Sequence, residues 1–173
     1  MPESAKPRLL DRVSTGLLYL LPQHLLAAGM YRLTRSTQPW LKQQLIARIS
    51  RRYGIDMSDA AQQDPSSYPS FNALFTRALK PGSRPIAEGM LVSPADGRVS
   101  QIGAIRGDAL LQAKGHNYDL LALLAGDRQR TAAFRDGVFA TVYLSPRDYH
   151  RVHIPFSGTL ESMVFVPGDL FSV

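Results

Sequence analysis

The run Val138-Phe139-Ala140-Thr141-Val142-Tyr143-Leu144 restricts the fold more than any other segment of this chain. It is rich in β-branched and aromatic residues and apolar on both alternating faces. Successive side chains of a strand point to opposite faces, so this run asks for cover on both sides and a central place in a sheet. Segments 91–92, 99–105 and 109–113 are further short strand-like runs, set off by glycine and polar residues. Residues 151–156, then Ser157-Gly158, then 159–166 predict a strand, a tight turn and a second strand. Between these lies a predicted small helix over 117–125, with Asn117 as a cap and Gly126 as a stop.

Upstream of residue 80 the pattern is helical. After Pro39, the residues Leu41, Leu45, Ile49 and Tyr53 recur at four-residue spacing, and Gly54 is a natural terminator. Asp64-Pro65-Ser66-Ser67-Tyr68-Pro69 is turn chemistry. Phe71, Leu74, Phe75 and Ala78 predict a short amphipathic helix ended by Lys80-Pro81-Gly82. Helices first, then a largely antiparallel β core, make an α+β chain. The expected division is an N-terminal helical region over 1–60 and an α+β domain over 61–173. The chain finishes Val164-Phe165-Val166-Pro167-Gly168-Asp169-Leu170-Phe171-Ser172-Val173, an apolar ending that predicts a continuation, so the domain is expected to be incomplete and the chain truncated.

The 173 residues include no cysteine, which excludes disulfides, thiolate catalysis and cysteine-ligated zinc. The net charge of +6 is concentrated at one end: residues 1–60 hold nine Lys/Arg against four Asp/Glu, leaving the rest almost neutral. A basic end suits an anionic surface. Between Arg12 and Arg32 no charged residue occurs, and leucines cluster on both sides of Pro22-Gln23-His24. A spanning helix needs about 20 apolar residues and tolerates a central proline and polar pair poorly. An interfacial segment and a core-packing helical hairpin therefore compete. The flanking arginines tilt the reading toward a membrane surface, with Leu17, Leu18, Leu21, Leu25 and Leu26 at the acyl boundary. Arg8, Arg12, Arg32 and Arg35 would meet phosphates. Nucleic acid is not an expected partner, because the bases form neither one face nor an aromatic platform.

Two segments carry candidate chemistry: Ser93-Pro94-Ala95-Asp96-Gly97 and Tyr149-His150-Arg151-Val152-His153-Ile154-Pro155. They offer one carboxylate and two imidazoles, most of an Asp–His–nucleophile relay, but no serine stands in a fitting context. Asp96-Gly97 alone also reads as a hairpin turn. His150 and His153 lie three apart; an extended strand would turn them to opposite faces, so a metal site is not expected. Satisfied histidines packed against Tyr143 and Tyr149 are the plain alternative. His116 is a weaker candidate.

These residues resemble the bacterial phosphatidylserine decarboxylases. The resemblance runs through Tyr68-Pro69-Ser70-Phe71-Asn72-Ala73-Leu74-Phe75-Thr76-Arg77, Arg84-Pro85-Ile86, Pro94-Ala95-Asp96-Gly97 and Leu111-Gln112-Ala113-Lys114-Gly115-His116-Asn117-Tyr118. It continues through 143–155 and 166–173, with the Tyr-His-Arg-Val-His-x-Pro run the most specific part. The resemblance implies conversion of phosphatidylserine to phosphatidylethanolamine and CO2 through a Schiff base with a pyruvoyl group, made by self-cleavage at the serine of a Leu-Gly-Ser-Thr motif. By motif, Asp96 and His153 would activate that serine and His150 would act at the decarboxylation stage. This chain has no Leu-Gly-Ser-Thr. The implied partners are therefore a missing C-terminal pyruvoyl-bearing subunit, the phosphatidylserine substrate and an anionic phospholipid membrane; a homodimer stays open. The implied location is peripheral, at the cytoplasmic face of the bacterial inner membrane. A non-catalytic membrane-binding module of the same fold and a His-ligated metal hydrolase are the alternative readings.

Overall fold

The computed structural model describes residues 22–107, 109–110 and 118–166. Helix α1 (Gln23–Thr34) starts directly after Pro22, which stands at its N-cap instead of interrupting it. A proline is harmless there, because the first turn has no intrahelical acceptor for its missing N–H. Helix α2 (Pro39–Tyr53) has Pro39 in its first turn and ends at Gly54, whose φ of 63° is the left-handed conformation that favours glycine.

Ile46 of α2 is buried with Tyr68, Phe71 and Leu74, and Leu45, Ile49, Ile55, Met57 and Phe75 pack around them. This core draws on residues from both sides of position 60. Lys42 ties the helix to the next turn by donating to the Tyr68 carbonyl at 2.7 Å. The turn itself is a 3-10 helix, Pro65–Ser67, capped by the Asp64 carboxylate. Helix α3 (Phe71–Phe75) is capped by the Ser70 hydroxyl, which accepts from Ala73 N at 3.2 Å. It stops earlier than its apolar spacing predicts, leaving Ala78 outside; Ala78 and Leu79 instead lie against Ala60 and Ala61 as an isolated bridge.

Strand β1 (Arg98–Ala104) pairs antiparallel with β4 (Val138–Tyr143), in a register from Arg98 opposite Tyr143 to Ala104 opposite Val138, with a shift between Val99 and Gln101. A second antiparallel pair joins β2 (Ala109–Leu110) to β3 (Tyr118–Asp119). Helix α4 (Leu120–Leu123) is capped by Asp119 and α5 (Arg128–Phe134) by Asp127. Ile105 and Leu120 are buried between these elements, with Leu124 and Phe139 packed against them.

The α+β class is observed, but several expectations are corrected. The run 138–144 is not central among the described residues: β4 has one neighbour, Val138 is 81% exposed and Tyr143 46%. Along β4, Phe139, Thr141 and Val142 are half-buried and Val138, Ala140 and Tyr143 are exposed. Residues 151–166 form no strand pair with each other. Their backbone instead meets 92–94, through Val92 N to the Pro155 carbonyl at 2.8 Å and His153 N to the Pro94 carbonyl at 2.7 Å. The small helix starts at Leu120 with Asp119 as its cap, and Asn117 lies outside the described residues. Helix α5 was not anticipated, since Arg-Gln-Arg-Thr-Ala-Ala-Phe has no apolar stripe.

In α1, Leu25 and Leu26 are 72% and 50% exposed. Arg32 and Arg35 are exposed too, and Arg35 stacks its guanidinium 3.8 Å from the Tyr31 ring centroid. Leu17, Leu18, Leu21, Arg8 and Arg12 lie outside the described residues. Among the described residues no helix is long and apolar enough to cross a membrane.

Candidate functional site

The paired segments 92–94 and 153–155 bring the Asp96 loop against the two-histidine segment, far apart as they are in sequence. The loop is shaped locally by the Ser93 hydroxyl, which donates to the Ala95 carbonyl at 2.8 Å. Gly97 does not turn a hairpin. It leads into β1, where its missing side chain lets the backbone pass β4: a Cβ would lie 2.7 Å from the Tyr143 carbonyl oxygen and 2.8 Å from Val142 Cγ1.

The histidine segment is held by the region after α3. Arg77 Nη2 donates to the Arg147 carbonyl at 3.1 Å, and Arg151 Nε donates to the Thr76 carbonyl at 2.9 Å. Asp148 closes the preceding turn by accepting from Ser145 N at 2.6 Å. His150 lies on Phe75, with ring centroids 3.8 Å apart, and its Nδ1 is 2.9 Å from the Asp148 carbonyl. A carbonyl only accepts, so Nδ1 carries the proton of that bond and a neutral ring keeps its lone pair on Nε2. His153 stacks on Tyr149 at 5.5 Å, and its Nε2 is 3.0 Å from the Tyr149 hydroxyl.

Asp96 and His153 do not hydrogen-bond each other. The Asp96 carboxylate accepts instead from Arg84 Nε at 2.6 Å, and Arg84 Nη1 reaches Asp59 at 2.8 Å. Asp59 and Asp96 together push the Arg84 pKa above the ordinary guanidinium value. Arg84 is placed for this by the backbone bond from Lys80 N to the Asp59 carbonyl, which folds 80–84 back over 56–60.

Beside these pairs is a polar cavity of about 150 Å³, lined by Asp56, Asp59, Arg77, Leu79, Arg84, Asp96, Arg147, Asp148 and Tyr149. Asp56 is held below the usual carboxylate range by hydrogen bonds from the Ser58 amide and hydroxyl. Arg77 is only 4% exposed, its Nε and Nη1 have no hydrogen-bond partner among the described residues, and burial lowers its pKa. Among the described residues no group of three or more His, Asp or Glu could hold a metal ion. The two histidines have their own separate contacts, His150 with Phe75 and His153 with Tyr149. His116 lies outside the described residues.

Asp96, His150 and His153 are thus brought into one region. Arg84, Asp59 and Arg77 were not singled out as site residues from sequence, and Tyr149 only as a packing neighbour. Arg84-Pro85-Ile86 was visible as a motif, but nothing local to it tells which carboxylates its guanidinium meets.

The comparisons with known proteins agree with this set of motifs. A family model described as phosphatidylserine decarboxylase matches residues 71–173, and a second, described as PSD, matches 13–54. The chain is 53% identical to a phosphatidylserine decarboxylase proenzyme of Delftia acidovorans, over 94% of this chain and 57% of that protein. Against the proenzymes of Alkalilimnicola ehrlichii and Alcanivorax borkumensis the identities are 50% and 52%, each over 95% of this chain and 58% of the relative. The chain therefore spans a little under three-fifths of the length of these relatives. The site's own segments, 94–97 and 149–155, fall inside the longer family match, and on that match this chain belongs to the phosphatidylserine decarboxylase family.

Proposed function

We propose that this chain is the acid–base portion of a phosphatidylserine decarboxylase, which converts phosphatidylserine to phosphatidylethanolamine and CO2. A further C-terminal segment would bring the serine that becomes a pyruvoyl group, and the chain alone would be inactive. The observation that carries the reading is the backbone bond from His153 to Pro94, which fastens the Asp96 loop to the two-histidine segment.

The residues present fit such a group. The loop that carries Asp96 is joined to His153 at the Pro94 carbonyl, and His150 donates from Nδ1, which leaves Nε2 for other chemistry. Asp96 and Tyr149 line a cavity with room for a small carbonyl group. In self-cleavage, His153 takes the proton of the serine hydroxyl as its oxygen attacks the preceding carbonyl carbon, and Asp96 stabilises the resulting imidazolium. When present, the pyruvoyl group is the electron sink that accepts the pair left by the departing CO2. His150 Nε2 holds or returns the proton that replaces CO2 at Cα.

The substrate is an anionic lipid, so the site must work at a membrane surface. We assign that contact to the N-terminal region, where exposed Leu25 and Leu26 share a helix with Arg32, and Arg35 caps its C-terminal end. Basic residues near an anionic leaflet contribute about 1 kcal/mol each. The location proposed is peripheral, on the cytoplasmic face of the bacterial inner membrane.

The test uses the complete protein. Asp96→Asn and His153→Ala should each leave one uncut band on a denaturing gel, whereas His150→Ala should cut but release no CO2 from phosphatidylserine. Normal cleavage in both Asp96→Asn and His153→Ala would remove the assignment. Liposome flotation tests the membrane contact: binding should rise with anionic lipid, fall with salt, and weaken on deletion of residues 1–36. Equal binding after the deletion would refute it.

A further inference from the structure

Both groups of the proposed relay are held by third residues. Asp96 is held by Arg84, which Asp59 fixes from its other side, at 2.6 and 2.8 Å. His153 is held by Tyr149, whose hydroxyl is 3.0 Å from Nε2 and whose ring stacks on the imidazole. Whichever way the Tyr149–His153 bond runs, that ring nitrogen cannot take a proton from a serine while the bond lasts. Either its lone pair is engaged or it already carries hydrogen. The Arg84 charge also opposes the relay, because a carboxylate already neutralised by a guanidinium stabilises an imidazolium less.

The alternative arrangement needs no new tie between the segments: His153 N is already joined to the Pro94 carbonyl at 2.7 Å, two residues before Asp96. Both present bonds are also weak enough to exchange. The Arg84 and Asp96 side chains are 46% and 32% exposed, and ion pairs so open to water contribute little. The Tyr149 hydroxyl and the His153 ring share a single ordinary hydrogen bond.

We infer that Arg84 and Tyr149 are positioning residues that keep Asp96 and His153 apart, and that self-cleavage begins with an exchange of partners in which both let go. The inference rests on the function proposed above. It gives the chain a resting arrangement in which the relay is assembled in the backbone but disengaged in the side chains. Entry of the serine-bearing segment beside Tyr149 would complete the exchange.

The test is the rate of self-cleavage of the complete protein made by cell-free synthesis, sampled over time on denaturing gels. Arg84→Gln and Tyr149→Phe should each cleave about two- to fivefold faster than the parent, matching the loss of one weak competing bond. The double variant should be faster than either, and Arg84→Lys should return toward the parent rate. Acceleration is a readout that a structural defect does not produce. Tyr149→Phe retains the ring that stacks on His153, so it keeps the test sound should Arg84→Gln fold poorly. Cleavage that is slower or unchanged in Tyr149→Phe overturns the inference. Asp96→Asn and His153→Ala run beside them separate the two levels: if these still cut, the functional reading fails, and if they do not, only the partner exchange is at issue.

Discussion

Replacing Gly97 by alanine puts one methyl group where β1 enters the sheet, and its cost can be worked from the surroundings. The new Cβ would stand 2.7 Å from the Tyr143 carbonyl oxygen, 3.2 Å from the Tyr143 carbonyl carbon and 2.8 Å from Val142 Cγ1. Ordinary contact begins near 3.4 Å, so the two backbones must part by roughly 0.7 Å. Val142 could rotate, but the Tyr143 carbonyl belongs to β4, whose register opposite Arg98 and Val99 is fixed by the ladder. Overpacking of this kind costs about 1–3 kcal/mol. Gly97 is not among the residues with positive φ, so alanine recovers about 0.4–1 kcal/mol by restricting the unfolded chain. The net loss is about 1–2 kcal/mol. At about 2–4 °C per kcal/mol, the melting temperature of the complete protein should fall by about 2–8 °C. Gly89→Ala is the control, since the nearest atom to its Cβ would be the Leu91 carbonyl at 3.8 Å. Circular dichroism melts of the two variants decide the matter. Gly97→Ala melting at or above Gly89→Ala would refute the close-approach argument. On the function proposed above, Asp96 being the adjacent residue, the same shift should also slow self-cleavage, by about tenfold if displacement by a fraction of an ångström matters there as it does at other reacting centres.

Leu74→Ala should be the more damaging packing change, because Leu74 is fully buried at the centre of the Ile46–Tyr68–Phe71 core. A loss of about 2–5 kcal/mol is expected, read as a lower urea midpoint with an unchanged slope. Ser70→Ala removes the α3 cap and should cost about 1 kcal/mol in the same assay, so a loss as large as that of Leu74→Ala would mean Ser70 is more than a cap. Asp64 is held below the usual carboxylate range by the Ser66 hydroxyl and then its amide. Its folded pKa is the lower one, so its contribution is full above about pH 4 and is lost as pH falls through the folded value. Asp64→Asn should therefore flatten the acid limb of stability against pH, and an unchanged limb would show that Asp64 does not contribute to it.

What could be read from sequence divides by the range of the interactions involved. Gly54 ending α2 is a local matter of backbone conformation, and it was legible. So was α3, although its end was set by the bridge of Leu79 to Ala60, a contact nineteen residues distant that no helical period encodes. The short polar helix α5 carried one local signal, Asp127 as a cap, but without an apolar stripe the period analysis passes over it. The central place expected for 138–144 and the strand pair expected over 151–166 were misjudged for the opposite reason. The apolar faces of 138–144 and 151–166 are there, but Val138, Ile154, Phe156, Leu160 and Phe165 remain largely exposed among the described residues. Hydrophobic pattern reports what a segment can be packed against, and not whether the packing partner is among the residues at hand. The site obeys the same rule. Residue type and motif single out Asp96, His150 and His153 as candidates. Which atoms Asp96 and His153 touch is settled by Arg84 and Tyr149, through a fold-back over Asp59 and a ring stack that only the tertiary structure brings together. On the function proposed above, the competition for Asp96 and His153 is the part that the motifs leave undetermined, and cleavage rates in Arg84 and Tyr149 variants probe it most directly.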